Sequence, residues 1–221
     1  MIKIDILTLF PKMFSGPFSE SIIKRAQDKS LVEINFYDLR RWGIDKRKTV
    51  DGKPYGGGVG MILRVDVIDR ALRDLKLKVK SGKRVTRSET VKVILLDATG
   101  KRFNQQEATK LSKVKHLILI AGHYEGVDHR THEHLVDEVI SIGDYILTGG
   151  ELPAMVLVDS ITRLLPGVVG KRESLEIESH SEPGYLEYPQ YTRPEIYKGW
   201  SVPKTLLSGN HKEIKNWRDS K

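Results

Sequence analysis

Three short segments, Val91–Leu96, His116–Ala121 and Val139–Ile142, are apolar at almost every position, and stretches with helical spacing separate them. A strand with one face in water alternates apolar and polar residues. A continuous apolar run is the pattern of a strand covered on both faces, as in a parallel sheet between helices. The expected fold class is therefore α/β, a parallel sheet flanked by helices. Other segments fit that frame. Lys3–Phe10 reads as a first strand, and Glu20–Lys29 as a helix with Ile22, Ile23 and Ala26 on one face. Leu31–Tyr37 alternates, with Val32, Ile34 and Phe36 on one side. Val65, Ile68, Ala71, Leu72 and Leu75 recur at helical spacing over Val65–Leu75. Further helices are expected around Asn104–Lys113, around Thr131–Asp137 and over Glu151–Leu165, the last ended by Pro166–Gly167. Asp38–Gly60 shows no periodicity. Beyond Gly170 the pattern breaks: Lys171–Gly184 reads as a polar linker, with a short helix around Asn210–Asp219.

Glycines crowd the ends of two of these strands. His116–Ala121 runs into Gly122, Tyr124, Glu125 and Gly126. Val139–Ile142 runs into Gly143, Asp144, Tyr145, Ile146, Leu147, Thr148, Gly149 and Gly150. Glycine costs backbone entropy and is kept where the chain takes φ > 0 or where something approaches the backbone closely. A plain helix-entry turn before Glu151 and Pro153 is the alternative. Two glycine-bearing loops at strand ends argue instead for a ligand site, because open α/β sheets bind ligands there. Ile142, Gly143, Tyr145 and Leu147 make an aliphatic and aromatic slot for a flat, apolar ring with a hydrogen-bonding edge, and Gly149–Gly150 admit close approach.

Composition narrows the classes. The chain of 221 residues is 39% hydrophobic and 30% charged, ordinary for a globular protein with a sizeable core. No apolar run approaches the ~18 residues of a membrane helix, and MIKIDILTLFP lacks the pattern of a cleaved leader, so a cytoplasmic protein is expected. The absence of cysteine excludes disulfides, thiolate metal sites and a cysteine nucleophile. There is no GxGxxG after the first strand, and no P-loop, GxSxG or HExxH. His123, His129, His132 and His134 cluster, but surface histidines at a polar helix start are the better reading, and no metal site is expected. The net charge of +8 suits a polyanionic partner. Arg40, Arg41, Trp42, Lys46, Arg47, Lys48, Lys53 and Tyr55 share one segment with Gly52, Gly56, Gly57, Gly58 and Gly60. Cations meet phosphates, aromatics stack on unpaired bases, and glycines let the backbone reach a base edge. A flexible basic loop is the alternative.

Five motifs, GHYEGVD (Gly122–Asp128), SIGDYILTGGELPAM (Ser141–Met155), PYGGGVGM (Pro54–Met61), YPQYTRPE (Tyr188–Glu195) and LLSGNH (Leu206–His211), resemble one family in order along the chain. This is the bacterial tRNA (guanine-N1)-methyltransferase family, TrmD, of the knotted SPOUT superfamily. The resemblance implies a deep trefoil knot over the 116–165 region and S-adenosylmethionine as cofactor. It adds Leu95, Leu96, Gly122, Tyr124 and Glu125 to the cofactor residues Ile142–Leu147, Gly149 and Gly150. It also places Asp51, Tyr55, Gly56, Gly57, Gly58 and Gly60 near the target guanine. The implied division is a catalytic domain over 1–167, a flexible linker over 168–186 and a short helical tRNA-binding domain over 187–221. A homodimer with an active site shared between subunits, and stimulation by Mg²⁺, are implied as well. Two departures stand on the cofactor wall: Asp97–Ala98–Thr99 replaces the usual Ser-Pro-Gln-type turn, and His123 replaces an arginine. Family members run some tens of residues past the Trp217–Arg218 region, so a lower tRNA affinity is expected here.

Guanine N1 carries a proton at neutral pH. Its methylation needs a general base and a group to stabilise negative charge developing on O6. By resemblance Arg163 supplies the second. The family's base is an aspartate in an Asp-Ser-Phe triplet, matched here by Glu178–Ser179–His180, with one more methylene of reach, roughly 1.5 Å. Glu176, His180 and Glu182 stand close by in sequence. The activity implied is methyl transfer to the guanosine 3′ of the anticodon, position 37. The alternatives are a knotted methyltransferase acting on another RNA and a non-catalytic RNA-binding module. Binding of tRNA is expected to be strongly electrostatic. The logarithm of affinity should fall linearly with the logarithm of salt, at about −0.7 to −0.9 per contacted phosphate. Filter binding across a salt series measures that slope, and a flat line would remove the nucleic-acid role of the Arg40–Lys53 cluster.

Overall fold

Val93 and Leu95 face one side of the central sheet, Ile94 and Leu96 face the other, and all four are buried. That is why their segment shows no alternation in the sequence. The computed structural model describes residues 1–82, 91–170 and 177–220. Two compact units divide the chain, at Gly170.

The first unit runs β1 (Ile2–Thr8), α1 (Ser21–Asp28), β2 (Val32–Asp38), β3 (Asp51–Gly52), β4 (Ile62–Leu63), α2 (Val65–Gly82), β5 (Val91–Arg102), α3 (Gln105–Leu111), β6 (His116–Ala121), α4 (Arg130–His134), β7 (Glu138–Ser141) and α5 (Glu151–Thr162). Five strands form one sheet in the order β2-β1-β6-β5-β7, with every pairing parallel. Ile4 lies opposite Ile34 on one side and Leu117 on the other, and Val93 lies opposite Ile118. On one face Ile4, Ile6, Ile94, Leu117, Leu119 and Ile140 pack under α1, α3 and α5. Phe14, Phe18 and Phe36 stack beside them, with ring centroids 4.9–5.9 Å apart. On the other face Leu7, Val93, Leu95, Ile118 and Ile120 meet Val67, Ile68, Ala71, Leu72 and Leu75 of α2. Each such buried aliphatic side chain is worth about 1.5–3 kcal/mol.

Three elements differ most from the periodicity reading, and the first is α2, expected over Val65–Leu75, which runs on to Gly82. The helix expected around Thr131–Asp137 stops at His134. Asp137 instead bonds the sheet edge: its amide donates to the Val93 carbonyl at 2.9 Å, and its carboxylate accepts from the Val93 amide at 2.7 Å. The strand expected to end at Leu96 continues to Arg102. Leu96 and Lys101 both pair with Ile140, so Asp97–Gly100 bulges out between them.

In the second unit Ile196–Tyr197 and Trp200–Ser201 pair antiparallel around Lys198–Gly199, both at positive φ. Helices Lys204–Leu207 and His211–Asp219 follow, neither with a fully buried residue. The Asn210 side chain caps the longer helix by accepting from the Lys212 and Glu213 amides. The Arg218 guanidinium lies 4.7 Å from the Tyr188 ring centre, and Tyr191 meets Trp217.

One polar group sits deep in the first unit. Asp5 of β1 is fully buried; it accepts from Asn35 at 2.9 Å, lies 2.8 Å from His116 Nε2 and 3.5 Å from Lys3 Nζ. Burial pushes the Asp5 carboxyl up, but the His116 and Asn35 hydrogen bonds outweigh it and hold the group below the usual carboxylate range. The stability it contributes is therefore complete above the unfolded value, near 3.9, and is lost as pH falls through the lower folded value. Asp5→Ala is expected to cost about 3–5 kcal/mol at neutral pH by leaving its partners uncompensated. Urea unfolding should also show a shallower acid-side loss in Asp5→Asn than in wild type, and identical acid profiles would contradict the assignment.

Candidate cofactor pocket and active site

The carboxyl ends of β5, β6 and β7 open into loops on one edge of the sheet. The loop after β6 and the loop before α5 touch through their backbones. The Gly150 amide donates to the Gly122 carbonyl at 2.7 Å, and His123 and Gly149 form an antiparallel bridge. A Cβ on Gly150 would lie 2.7 Å from both Ala121 Cα and the Gly122 nitrogen, so only glycine fits. Beneath Gly149 the Glu151 side chain is 2% exposed, and its Oε1 accepts from the Thr8 hydroxyl at 2.7 Å. Thr8 in turn accepts from the Phe10 amide at 2.9 Å, so the loop is tied to the end of β1.

These loops enclose a cavity of about 280 Å³, near the lower end of small-molecule sites. Leu96, Gly122, Tyr124, Glu125, Ile142, Gly143, Tyr145, Ile146, Leu147, Gly149 and Gly150 line it together. Two residues grouped with them in the sequence reading do not. Leu95 points to the opposite face of the sheet, against α2. Asp144 turns to solvent and pairs with Arg102. Sequence reasoning left out Gly126, Ile140, Ser141, Thr148 and Pro153 as lining residues, and treated Asp97–Thr99 and His123 only as departures on the wall. Pro153 and Ile140 carried no signal beyond helix entry and strand apolarity. The Tyr145 ring lies over Gly143, with its hydroxyl 3.4 Å from the Ile142 carbonyl.

The β3–β4 hairpin abuts one wall. The Glu125 amide donates to the Met61 carbonyl, and the Leu63 amide to the Gly126 carbonyl, each at 3.0 Å. The Glu125 side chain occupies the space a Cβ on Gly60 would need, and Gly60 has φ +78°. Burial raises the Tyr124 phenol, and the Asp51 carboxylate to which it hydrogen-bonds raises it further. Asp51 and Gly60 are thus brought to residues of the cavity. Tyr55 is fully exposed, and Gly56, Gly57 and Gly58 stand in solvent with it.

Arg163 caps the far end of α5, where its amide donates to Asp159. Twelve helical residues separate it from Gly150, roughly 18 Å of rise, and it does not line the cavity. Along the outer side of α5, Leu152 and Val156 are 49% and 42% exposed. Glu178 belongs to the second unit and is half-buried. Its carbonyl accepts from Ser181 at 3.0 Å, Ser179 Oγ accepts from the Glu187 amide at 2.9 Å, and the His180 amide donates to Tyr185 at 2.8 Å. The Glu178–His180 triplet is therefore folded back on the residues that follow it. His180 and Glu182 are exposed, and Glu176 lies outside the described residues.

A family model described as tRNA (Guanine-1)-methyltransferase TrmD matches residues 2–221. The chain belongs to the TrmD family. A tRNA (guanine-N(1)-)-methyltransferase of Dictyoglomus turgidum is 53% identical over 218 residues, covering 99% of this chain and 84% of the relative. Proteins of that name from Dehalococcoides mccartyi and Bacillus subtilis are 49% and 50% identical, over 98% and 99% of this chain and 84% and 86% of theirs. Methyltransferases of this family use S-adenosylmethionine, and the cavity fits an adenosine in two respects. Aliphatic and tyrosine side chains form its walls, and Gly122, Gly143 and Gly149 put backbone into its lining. No group of three or more metal-ligating side chains converges among the described residues. His129 and His132 stack at 5.0 Å, and exposed Glu133 lies 3.8 Å from His129.

Gly150→Ala is expected to cost about 1–3 kcal/mol of stability, because its Cβ meets backbone rather than a side chain that can move. Cofactor binding should be lost with it. A Cβ on Gly143 meets only the Tyr145 ring, so Gly143→Ala should leave stability nearly unchanged and weaken the cofactor alone. Urea unfolding beside calorimetric titration with S-adenosylhomocysteine separates the two, and wild-type values for Gly150→Ala would contradict the close approach.

Proposed function

We propose that this protein transfers a methyl group from S-adenosylmethionine to N1 of guanosine 37 in tRNA. The observation that carries the reading is the glycine-locked cavity at the sheet edge, in a chain about half identical to named tRNA (guanine-N1)-methyltransferases over nearly its whole length. The cofactor supplies an electrophilic methyl group. Leu96, Ile142 and Leu147 supply apolar surface for its adenine, and the backbone of the two glycine loops that line the cavity supplies polar partners at close range. Glu178 takes the N1 proton, and Arg163 stabilises the charge left on O6. Asp51 and Gly60 stand beside Tyr124 and Glu125, so the guanine enters over that wall. Tyr55 and the exposed glycines Gly56–Gly58 approach the RNA.

Arg163 sits a helix length from the cavity of its own chain, and α5 presents Leu152 and Val156 to solvent. Both features support a homodimer whose active sites are shared between subunits. The backbone crossing of Gly122–His123 with Gly149–Gly150 supports a trefoil knot. Domain boundaries at about 167 and 186 fit this division of labour, with the cation–aromatic pair Arg218–Tyr188 and the exposed Trp200 offered to tRNA. Among the described residues no helix is long and apolar enough to cross a membrane. A cytoplasmic site, where tRNA is found, follows from the substrate.

Labelled methyl transfer to total tRNA, followed by nucleoside mapping, tests the reaction. Glu178→Gln keeps shape but cannot accept a proton. It should lower kcat by roughly 10²–10⁴ while cofactor affinity stays close to wild type. Full activity in that variant, with a loss in Glu176→Gln, Glu182→Gln or His180→Ala, would move the base to the neighbour.

A further inference from the structure

The bulge in β5 carries chemistry that the catalytic reading does not use. Leu96 and Lys101 both pair with Ile140, so residues 97–100 leave the ladder and must be held by other bonds. Asp97 supplies them. Its Oδ1 accepts from the Thr99 amide at 2.9 Å and from the Thr99 hydroxyl at 2.7 Å, an Asx turn closed twice. Its Oδ2 faces His132 Nε2 at 3.5 Å, and both side chains are largely buried, 19% and 13% exposed. Gly100 then returns against β7, where a Cβ would lie 2.6 Å from the Ile140 nitrogen and the Val139 carbonyl carbon. Burial pushes the Asp97 carboxyl up, but the Thr99 bonds and His132 outweigh it and keep the group below its ordinary range.

Asp97, Ala98 and Thr99 all line the cavity. His132 stands on α4, directly after the Gly122–Asp128 loop that forms the facing wall. One carboxylate therefore shapes the bulge and also ties it to the segment opposite. We propose that Asp97 is a positioning residue for the cofactor: held by Thr99 and His132, it sets the width of the cavity before the cofactor arrives. The inference rests on the S-adenosylmethionine reading given above. A wall already in place removes an ordering cost from binding, and this is where a positioning residue acts.

The test uses the full chain, with calorimetric titration of S-adenosylhomocysteine, steady-state kinetics and unfolding of the free protein. Asp97→Ala should weaken the cofactor and raise its KM by tenfold or more, lower kcat at saturating cofactor by less than threefold, and leave tRNA affinity within twofold. Asp97→Asn retains the amide oxygen as acceptor for Thr99 and should recover affinity to within about threefold of wild type. Thr99→Val, which keeps the shape and loses the hydroxyl donor, should weaken the cofactor by about threefold even if Asp97→Ala fails to fold. Wild-type cofactor affinity in Asp97→Ala, or in Thr99→Val where the alanine variant does not fold, would overturn the proposal. Equal loss of cofactor affinity, tRNA affinity and thermal stability in Asp97→Ala would overturn it too, by reducing Asp97 to a staple of the fold. A wild-type protein that binds no cofactor would overturn the S-adenosylmethionine reading itself, and this inference with it.

Discussion

The contact between the Gly150 amide and the Gly122 carbonyl is the constraint on which the rest of the site depends. It brings the loop after β6 and the loop before α5 to backbone distance, and that approach leaves no room for a Cβ at Gly150. Three consequences follow. The first turn of α5 starts where the loop ends, so Glu151 is carried under Gly149 to meet Thr8. The carboxylate is nearly sealed from water, and the Thr8 hydroxyl bond offsets part of the cost of burying it. The cavity then forms on the outer side of the same crossing, lined by the residues that flank it. A side chain at Gly150 would separate the loops, and the lining would no longer converge.

A sheet covered on both faces directs such a site to its edge. With α1, α3 and α5 on one side and α2 on the other, helices cover the core residues of both faces. Parallel pairing gathers the carboxyl ends of β5, β6 and β7 at one edge, and three loops meet there. Among the described residues the strands bury few polar side chains, namely Asp5, Thr8, His116 and Ser141. Asp5 is held by Asn35 from the neighbouring β2 and by His116 at the start of β6. Its network ties three adjacent strands together through side chains rather than through the ladder.

Periodicity made the strands and most helices legible, because burial on both faces and burial on one face leave different patterns of apolar residues. It could not say which way a residue points in a strand that is apolar throughout. Leu95 and Leu96 look alike in sequence, yet register sends one against α2 and the other to the cavity. Nor could it show that Asp137 bonds the sheet edge instead of extending α4, since the competing partner, Val93, lies 44 residues away. The glycine loops were legible as a site because their residue types have no use in a strand. The distance of Arg163 from the cavity was not, because it is set by the length and direction of α5 rather than by any local pattern around the residue.

The turn at Asp97–Thr99 and the wall at His123 are held by different physics. A proline-bearing turn is stiff through its ring, which fixes φ covalently. Asp97–Ala98–Thr99 reaches order through hydrogen bonds that converge on one carboxylate. Such a turn is as defined as its bonds, and it depends on an acceptor oxygen at position 97 for the two Thr99 donors. The His123 ring is held edge-on by Phe10 at 4.8 Å and by Tyr124 at 5.0 Å. An arginine would bring a longer, permanently charged guanidinium to that wall. The imidazole brings a flat ring that packs, and its Nδ1 lies 4.0 Å from the Glu151 carboxylate. The wall thus stays aromatic next to the glycine crossing. Its shape is then held by packing among Phe10, His123 and Tyr124.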